Sequence, residues 1–305
     1  MNKKAATGSD RVWQAYAGDR SATFEAHRGV LVGIAYRILG SRTDADDVVQ
    51  AAWIRWAGVD TATVVDPRAF LVRVVTRLAI DHLRRARVGR ETYVGEWLPE
   101  PVATGVDPLA RVELVETLAT GLLVVLETLS PLERAVFVLR EAFGLSHAEI
   151  AEVLDRSEVA VRQLALRARR HVEARRRRHV ADPVEARAVT ERFLAASASG
   201  DLAGLIGVLA PDVRLVADGG GRVRAPLLPV VGADRVARFL RSAAGRQPAE
   251  PELLVVDLNG GPAILLTSRG EASAAVTFDI VDGRIAAVYL VANPDKLQAV
   301  RRLVA

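Results

Sequence analysis

Between Ser146 and Arg170 the chain sets arginines and short apolar repeats at a spacing suited to reading DNA. Ser146-His147-Ala148-Glu149 is a capping box that opens a short helix buried through Ile150 and Leu154. A turn at Asp155-Arg156 follows, and Ser157 caps a second helix predicted to bury Val161, Ala165 and Ala168. Its other faces carry Arg162, Gln163, Arg167 and Arg170. Such a pair is a helix-turn-helix, whose second helix fits a major groove about 12 Å wide, where Arg and Gln reach base edges. The plainer alternative is a helical hairpin with a solvated basic face. The trailing Arg175-Arg176-Arg177-Arg178 fits phosphate contact and a solvated helix end equally well.

Three other groups carry chemistry. Arg73, Arg77 and Arg84 fall on one face of the helix after Pro67, with Asp81 expected to pair with Arg77, either tracking phosphates or salt-bridged in solvent. One helix earlier, Asp44, Asp46 and Asp47 sit at a start favoured by the helix dipole, above a stripe of Val49, Trp53 and Trp56. That stripe faces either a core or a protein partner. Trp97-Leu98-Pro99-Glu100-Pro101 lies in a segment broken by Gly95, Gly105 and Pro108, and a Trp-Leu pair in such a linker is more often docked than left in water.

The chemistry excluded is as informative. The chain has no Cys, which removes disulfides, Cys-ligated zinc, iron–sulfur clusters and thiol nucleophiles. Residues 181–305 hold no His and one Tyr, Tyr289, a poor inventory for acid–base catalysis, so a non-enzyme without cofactor or metal is expected. Asp218 beside Gly219-Gly220-Gly221 suits a tight turn or close backbone approach better than a buried carboxylate whose burial makes it hold its proton. A pocket for a small regulatory ligand in that region stays compatible with the sequence. No apolar run approaches the roughly 18 residues of a membrane span, and the N-terminus lacks a signal-peptide core, so no membrane partner and a cytoplasmic location are expected.

These groups need elements to hold them. Residues 24–90 read as helices closed at Gly40, reopened by a capping box at Thr43-Asp44-Ala45-Asp46 and again by Asp66-Pro67. Helices resume from about 108 to 179, with Ser130-Pro131-Leu132-Glu133 as a further capping box. After Pro183, helices at 184–199 and 201–209 precede Val- and Leu-rich segments at 213–217, 253–258, 263–268, 274–281 and 284–291. That order predicts an α+β domain with one curved antiparallel sheet. The fold expectation is therefore multidomain: two all-α domains, 1–90 and 109–180, a linker 91–108, and an α+β domain 181–305. Of 41 basic residues 27 precede residue 181, against 23 acids, whereas the last domain is neutral with 14 of each. Local basic patches of this kind are the footprint of phosphate binding.

Asp44-Ala-Asp-Asp-Val-Val-Gln-Ala-Ala-Trp-Ile-Arg-Trp56 and Phe70-Leu-Val-Arg-Val-Val-Thr-Arg-Leu-Ala-Ile-Asp-His-Leu-Arg-Arg85 resemble a segment typical of bacterial sigma factors of the extracytoplasmic-function group. The stretch from Leu129 to Arg170 resembles their second DNA-binding domain. Trp97-Leu98-Pro99-Glu100-Pro101, Asp218-Gly219-Gly220-Gly221 and Asn293-Pro294-Asp295-Lys296-Leu297 resemble the signature of a subgroup with a fused C-terminal SnoaL-like domain, a cone-shaped α+β fold. The resemblance implies that core RNA polymerase and promoter DNA are the partners. It implies that Asp46, Asp47, Val49, Gln50 and Trp53 lie in the polymerase-binding region. Arg73, Arg77, Arg84 and Arg85, with the loop 57–66, would serve the minus-10 element. Arg156, Ser157, Arg162, Gln163, Arg167 and Arg170 would serve the minus-35 element. The three signature strings would form a regulatory contact between domains, with Lys296 pairing with Glu100 or capping a helix end. An ordinary helix-turn-helix repressor is the rival reading, but it leaves the acidic–aromatic helix 44–56 without a purpose.

Overall fold

α1 (Gly8–Leu39) ends where Gly40 takes a φ of +71°, and its N–H closes the helix on the Tyr36 carbonyl. The computed structural model describes residues 8–90, 92–104, 119–175, 181–245 and 251–303. α2 (Arg42–Ala57) is capped by Ser41, whose hydroxyl accepts the Asp44 N–H, not by the expected Thr43. Ser41 follows Gly40 directly, so the cap forms as soon as the chain has turned. α3 (Pro67–Arg90) begins as its Asp-Pro start predicts, with the Asp66 carboxylate accepting the Ala69 N–H at 3.0 Å. Phe24 packs edge-on against Trp53 and Trp56 tilts against Phe70, which ties the three helices together.

α4 (Thr120–Glu127) and α5 (Pro131–Phe137) follow, the latter opened by the expected Ser130–Glu133 box and running on as a π-helical turn, Val138–Ala142. α6 (His147–Leu154) and α7 (Glu158–Arg175) form the helix-turn-helix, with Asp155 left-handed at the turn. The buried stripe of α7 is Val161, Leu164, Ala168 and Val172; Leu164 takes the place expected for Ala165, which is half-buried.

One apolar core runs through both helical groups, from Leu31, Ile34 and Leu71 to Leu123, Val136, Ile150 and Val161. Arg134 is wholly buried in that core, donating from Nε to the Arg37 carbonyl at 2.9 Å and ion-paired with Glu127. Burial lowers the Arg37 guanidinium to about 10, and its cation stands 5.3 Å from the centre of the Phe143 ring.

The C-terminal domain starts with α8 (Pro183–Ser199) and α9 (Leu202–Val208), capped by Asp182 and Asp201. Then come β1 (Leu209–Asp218), β2 (Val230–Val231), α10 (Ala233–Ala244), β3 (Pro251–Leu258), β4 (Gly261–Ser268), β5 (Glu271–Val281) and β6 (Arg284–Val291). The sheet order is β2-β1-β6-β5-β4-β3. The expectation of a wholly antiparallel sheet is corrected at one place, because β1 and β6 run parallel. β3 to β6 are joined by two-residue turns at Asn259-Gly260, Arg269-Gly270 and Asp282-Gly283, every residue at positive φ, which forces antiparallel pairing. β1 reaches β6 through no such hairpin, so tertiary packing sets its direction. α10 and β2 are additions the sequence pattern did not reveal.

Both faces of this sheet are covered. Val213, Leu215, Ile264, Val276 and Val288 pack on the domain's own helices, with Phe193 edge-on to Phe278 at 5.0 Å. On the opposite face Ala263, Leu265, Ala275 and Tyr289 meet Leu98 of the linker, Val124 of α4, and Leu297 and Val300.

Candidate functional site

Asp218, at the end of β1, is fully buried at the centre of a polar knot between the linker and the C-terminal domain. Lys296 Nζ stands 2.7 Å from its Oδ2, donates to the Leu98 carbonyl at 2.6 Å, and lies 3.8 Å from the centre of the Trp97 ring. The Leu98 N–H donates to Oδ2 at 2.8 Å; the Tyr93 hydroxyl and the Gly220 N–H donate to Oδ1. Asn293 donates from Nδ2 to the Tyr93 oxygen and accepts the Asp295 N–H, capping the turn Pro294–Lys296. A buried ion pair supports structure only when its remaining donors and acceptors are matched, and here they are. Burial, then the neighbouring Asp218 carboxylate, pushes the Tyr93 hydroxyl far above its ordinary range, so it stays a donor. The glycines make room: a Cβ at Gly219 would meet the Val223 carbonyl oxygen at 2.1 Å, and one at Gly220 would meet Asn293 Nδ2 at 2.2 Å. Gly221 touches Val94, and Arg222 pairs with Asp295 outside the knot.

Two expectations are corrected here. Asp218 is a buried carboxylate and not merely a turn residue, because Lys296 and three donors replace its water. Lys296 pairs with Asp218 and not with Glu100, which has another use. The Glu100 carboxylate accepts from Ser41 Oγ at 2.7 Å and from the N–H groups of Arg42 at 2.8 Å and Thr43 at 3.3 Å, capping α2 from outside. Trp97 bridges the C-terminal domain and the turn after α1. It faces Lys296, and a Cβ at Gly40 would lie 2.8 Å from its ring and 2.9 Å from Glu127 Oε1. Pro99 and Pro101 are buried beside Leu98, and Leu297 is buried on the sheet.

The sequence reading missed several contributors. Tyr36 donates to the Glu100 carbonyl at 2.7 Å and accepts from Asn259, whose Oδ1 takes the Val102 N–H. Tyr93 belongs to the knot already described. On β5 and β6, Asp279 accepts from Tyr289 at 2.8 Å and crowds the start of α4. A Cβ at Gly121 would lie 2.2 Å from Asp279 Oδ2. α4 has no side-chain cap of its own at Ala119, and Thr277 meets Thr120 at 2.9 Å beside it. A carboxylate there suits the helix dipole. The Asn-Gly turn was the one available signal for Asn259.

The candidate DNA faces differ in accessibility. On α7, Arg162, Gln163, Arg167 and Arg170 are all exposed, as are Arg156 and Ser157, and Ser157 Oγ accepts the Ala160 N–H. Arg162 pairs with Glu158 and Arg167 with Glu133, both weak surface contacts that a phosphate or base edge could replace. The four-arginine run lies outside the described residues beyond Arg175. On α3, Arg84 and Arg85 are exposed and Arg73 is half-buried. Arg77 is not paired with Asp81, which holds Arg84 instead; its Nε donates to the Val153 carbonyl at 2.8 Å, at the C-terminal end of α6. The α3 face that the sequence resemblance assigns to one DNA element thus bonds to the helix-turn-helix unit it assigns to the other.

On α2, Asp47 and Gln50 are exposed, Asp46 is held by Arg42, and Trp53 is half-buried against Phe24. Val49 is fully buried, so it supports this face from beneath and touches no partner. Ile54, 65% exposed and one turn after Gln50, is a candidate the sequence reading overlooked. Two open concavities of about 370 and 560 Å³ lie on the C-terminal domain, by Pro183 and Arg187 and by Pro211 and Arg235. No group of three metal-ligating side chains occurs among the described residues, and no described helix is long and apolar enough to cross a membrane.

Comparison with known proteins covers nearly the whole chain. Residues 23–88 match the family Sigma-70 region 2, and residues 121–172 match Sigma-70, region 4. The chain is 42% identical over 286 residues to the ECF RNA polymerase sigma factor SigJ of Mycobacterium tuberculosis, covering 90% of this chain and 91% of that one. It is 34% identical to the probable ECF sigma factor SigI of the same species, over 92% and 96% of the two chains. The crystal structure of M. tuberculosis SigJ matches with a TM-score of 0.75 at 38% identity, over 92% of this chain and 98% of that one.

Proposed function

The chain belongs to the extracytoplasmic-function group of RNA polymerase sigma factors, and from that premise we propose how its parts divide the work of promoter-specific initiation and how the C-terminal domain restrains it. As a sigma factor it binds core RNA polymerase and promoter DNA. The exposed face of α2, with Asp47, Gln50, Trp53 and Ile54, docks on polymerase. The loop 57–66 and α3, through Arg73, Arg77, Arg84 and Arg85, take the minus-10 element. Opening that element needs an extruded base and a positive channel along the displaced strand. The α6–α7 unit takes the minus-35 element, with Arg162 and Gln163 aimed at base edges and Arg156, Ser157, Arg167 and Arg170 at phosphates or base edges beside them.

The observation that carries the regulatory reading is the Arg77–Val153 hydrogen bond over a shared core. The two promoter elements lie about 25 base pairs apart, on the order of 85 Å of duplex at 3.4 Å per step. Helices in contact cannot serve both sites. The described arrangement is therefore a closed state, and the linker knot around Asp218 and Lys296 holds it by fixing Trp97 against α1 and α4. Tethering makes even a modest contact effective, at a local concentration of the order of millimolar. Because the chain lacks Cys, dyes can be placed on Glu25→Cys and Glu173→Cys alone. Energy transfer between them should be high in the free protein, fall in the promoter-bound holoenzyme, and fall partly in free Asp218→Asn. Unchanged transfer on the promoter complex would refute the closed-state reading.

A further inference from the structure

The C-terminal domain is neutral in sum but not in distribution. Residues 209–245 carry six Arg and three Asp, net +3, so the rest of the domain carries the balancing −3. One of the three acids, Asp218, is sealed in its pair with Lys296 and contributes nothing at the surface. The fold gathers this segment at one end of the sheet. β2 and β1 are the edge strands there, and α10 packs beside them. The opposite edge strand, β3, presents Glu252 and Asp257. α10 buries Val236 and Ala237 and turns Arg235, Arg238 and Arg241 outward, while Arg214, Arg222 and Arg224 are exposed on β1 and the following loop. Arg238 leans on Asp234 and Arg222 on Asp295. Among the described residues, Arg214, Arg224, Arg235 and Arg241 have no carboxylate partner.

The loop carrying Arg222 and Arg224 lies against the linker: a Cβ at Gly95 would be 3.5 Å from Leu227, and one at Gly221 3.2 Å from Val94. We infer that the β1–β2–α10 edge is a phosphate-binding surface through which the C-terminal domain holds duplex DNA flanking the promoter elements, without reading sequence. Guanidinium groups without a carboxylate partner spread over an edge, with no exposed aromatic or amide side chain beside them among the described residues, suit the evenly charged backbone of a duplex rather than a base edge or an unstacked strand. The inference rests on the sigma reading only in taking promoter DNA as the available duplex.

The test compares holoenzyme binding to a promoter duplex and to a random duplex across a salt series. The triple variant Arg224→Ala/Arg235→Ala/Arg241→Ala should shallow the slope of log K against log salt by about 2 to 3, since each phosphate contact contributes about 0.9. Both duplexes should weaken by the same factor, with promoter preference kept. Arg-to-Lys replacement at the three positions should preserve the slope and shows that fold loss is not the cause. Arg187→Ala/Arg192→Ala/Arg301→Ala removes equal charge elsewhere and should leave the slope unchanged. A wild-type slope in the first triple variant, or an equal shift in the second, overturns the inference. Arg162→Ala measured alongside reports the recognition helix separately, through discrimination and not through equal weakening.

Discussion

Lys296, the only lysine among the described residues, shows what a single ammonium contributes when it is set among buried carbonyl and carboxylate groups. Its removal leaves Asp218 charged and sealed from water, and breaking one half of a buried pair costs about 3–5 kcal/mol. Lys296→Met should therefore lower the thermal midpoint sharply, whereas Lys296→Met/Asp218→Asn should recover part of the loss, since no charge is then left buried and the amide oxygen still accepts from Tyr93 and Gly220, although its nitrogen now faces the Leu98 N–H. Equal melting of the single and double variants would mean that the charge pair is not the support we describe. At the DNA end of the molecule, Arg162→Ala and Gln163→Ala should reduce minus-35 discrimination by about 1–3 kcal/mol per lost bidentate contact. Footprinting on base-substituted promoters measures this, and full discrimination in both variants would move the recognition face elsewhere on α7.

At the scale of elements, caps come from two sources. α5 and α6 are capped locally by Ser130–Glu133 and Ser146–Glu149, while α2 receives Glu100 from the linker and α4 lies against Asp279 from β5. Local caps form with the helix; the others report whether the domains are docked. Partial burial opposes ionisation of Glu133, but the Ser130 hydroxyl and N–H and the nearby Arg167 outweigh it and hold the carboxyl below its ordinary range. A carboxyl lowered in the folded state stabilises above its unfolded value, near 4.3, and that contribution is lost as pH falls through the folded value. Glu133→Ala should cost about 1 kcal/mol at neutral pH, within the range for a lost cap, and the gap to wild type should close in acid. Circular dichroism melts between pH 3 and 7 follow it; a gap independent of pH would exclude the carboxylate as its source.

For the whole molecule, the two helical domains and the linker meet where Gly40 lies against Trp97 and Glu127. Its φ of +71° and the absence of room for a Cβ make it a position no other residue fills without moving Trp97. Gly40→Ala should unseat Trp97, loosen the linker and shift the free protein toward the open state in the energy-transfer experiment above. An unfolded chain would lose the dichroism signal as well, which separates the two outcomes, and a folded variant with wild-type transfer would count against the role of Trp97.

How much of this was legible in the sequence depends on the range of the interaction. The capping boxes, the Asp66-Pro67 start, the helix-turn-helix, the α+β order and the three signature strings are set by neighbours within a few residues, where side-chain chemistry and helical period act directly. The sequence also marked Trp97-Leu98 as docked, because a large aromatic in a proline-stiffened linker has few other uses. Tertiary structure alone decided that Lys296 takes Asp218, that Glu100 caps α2, that Arg77 bonds to Val153 and that β1 runs parallel to β6. Each of those pairs groups that lie 57 to 78 residues apart, and a carboxylate or cation in a sequence carries its charge but not the address of its partner. Only packing that removes water from one particular pair selects among the many that charge alone permits.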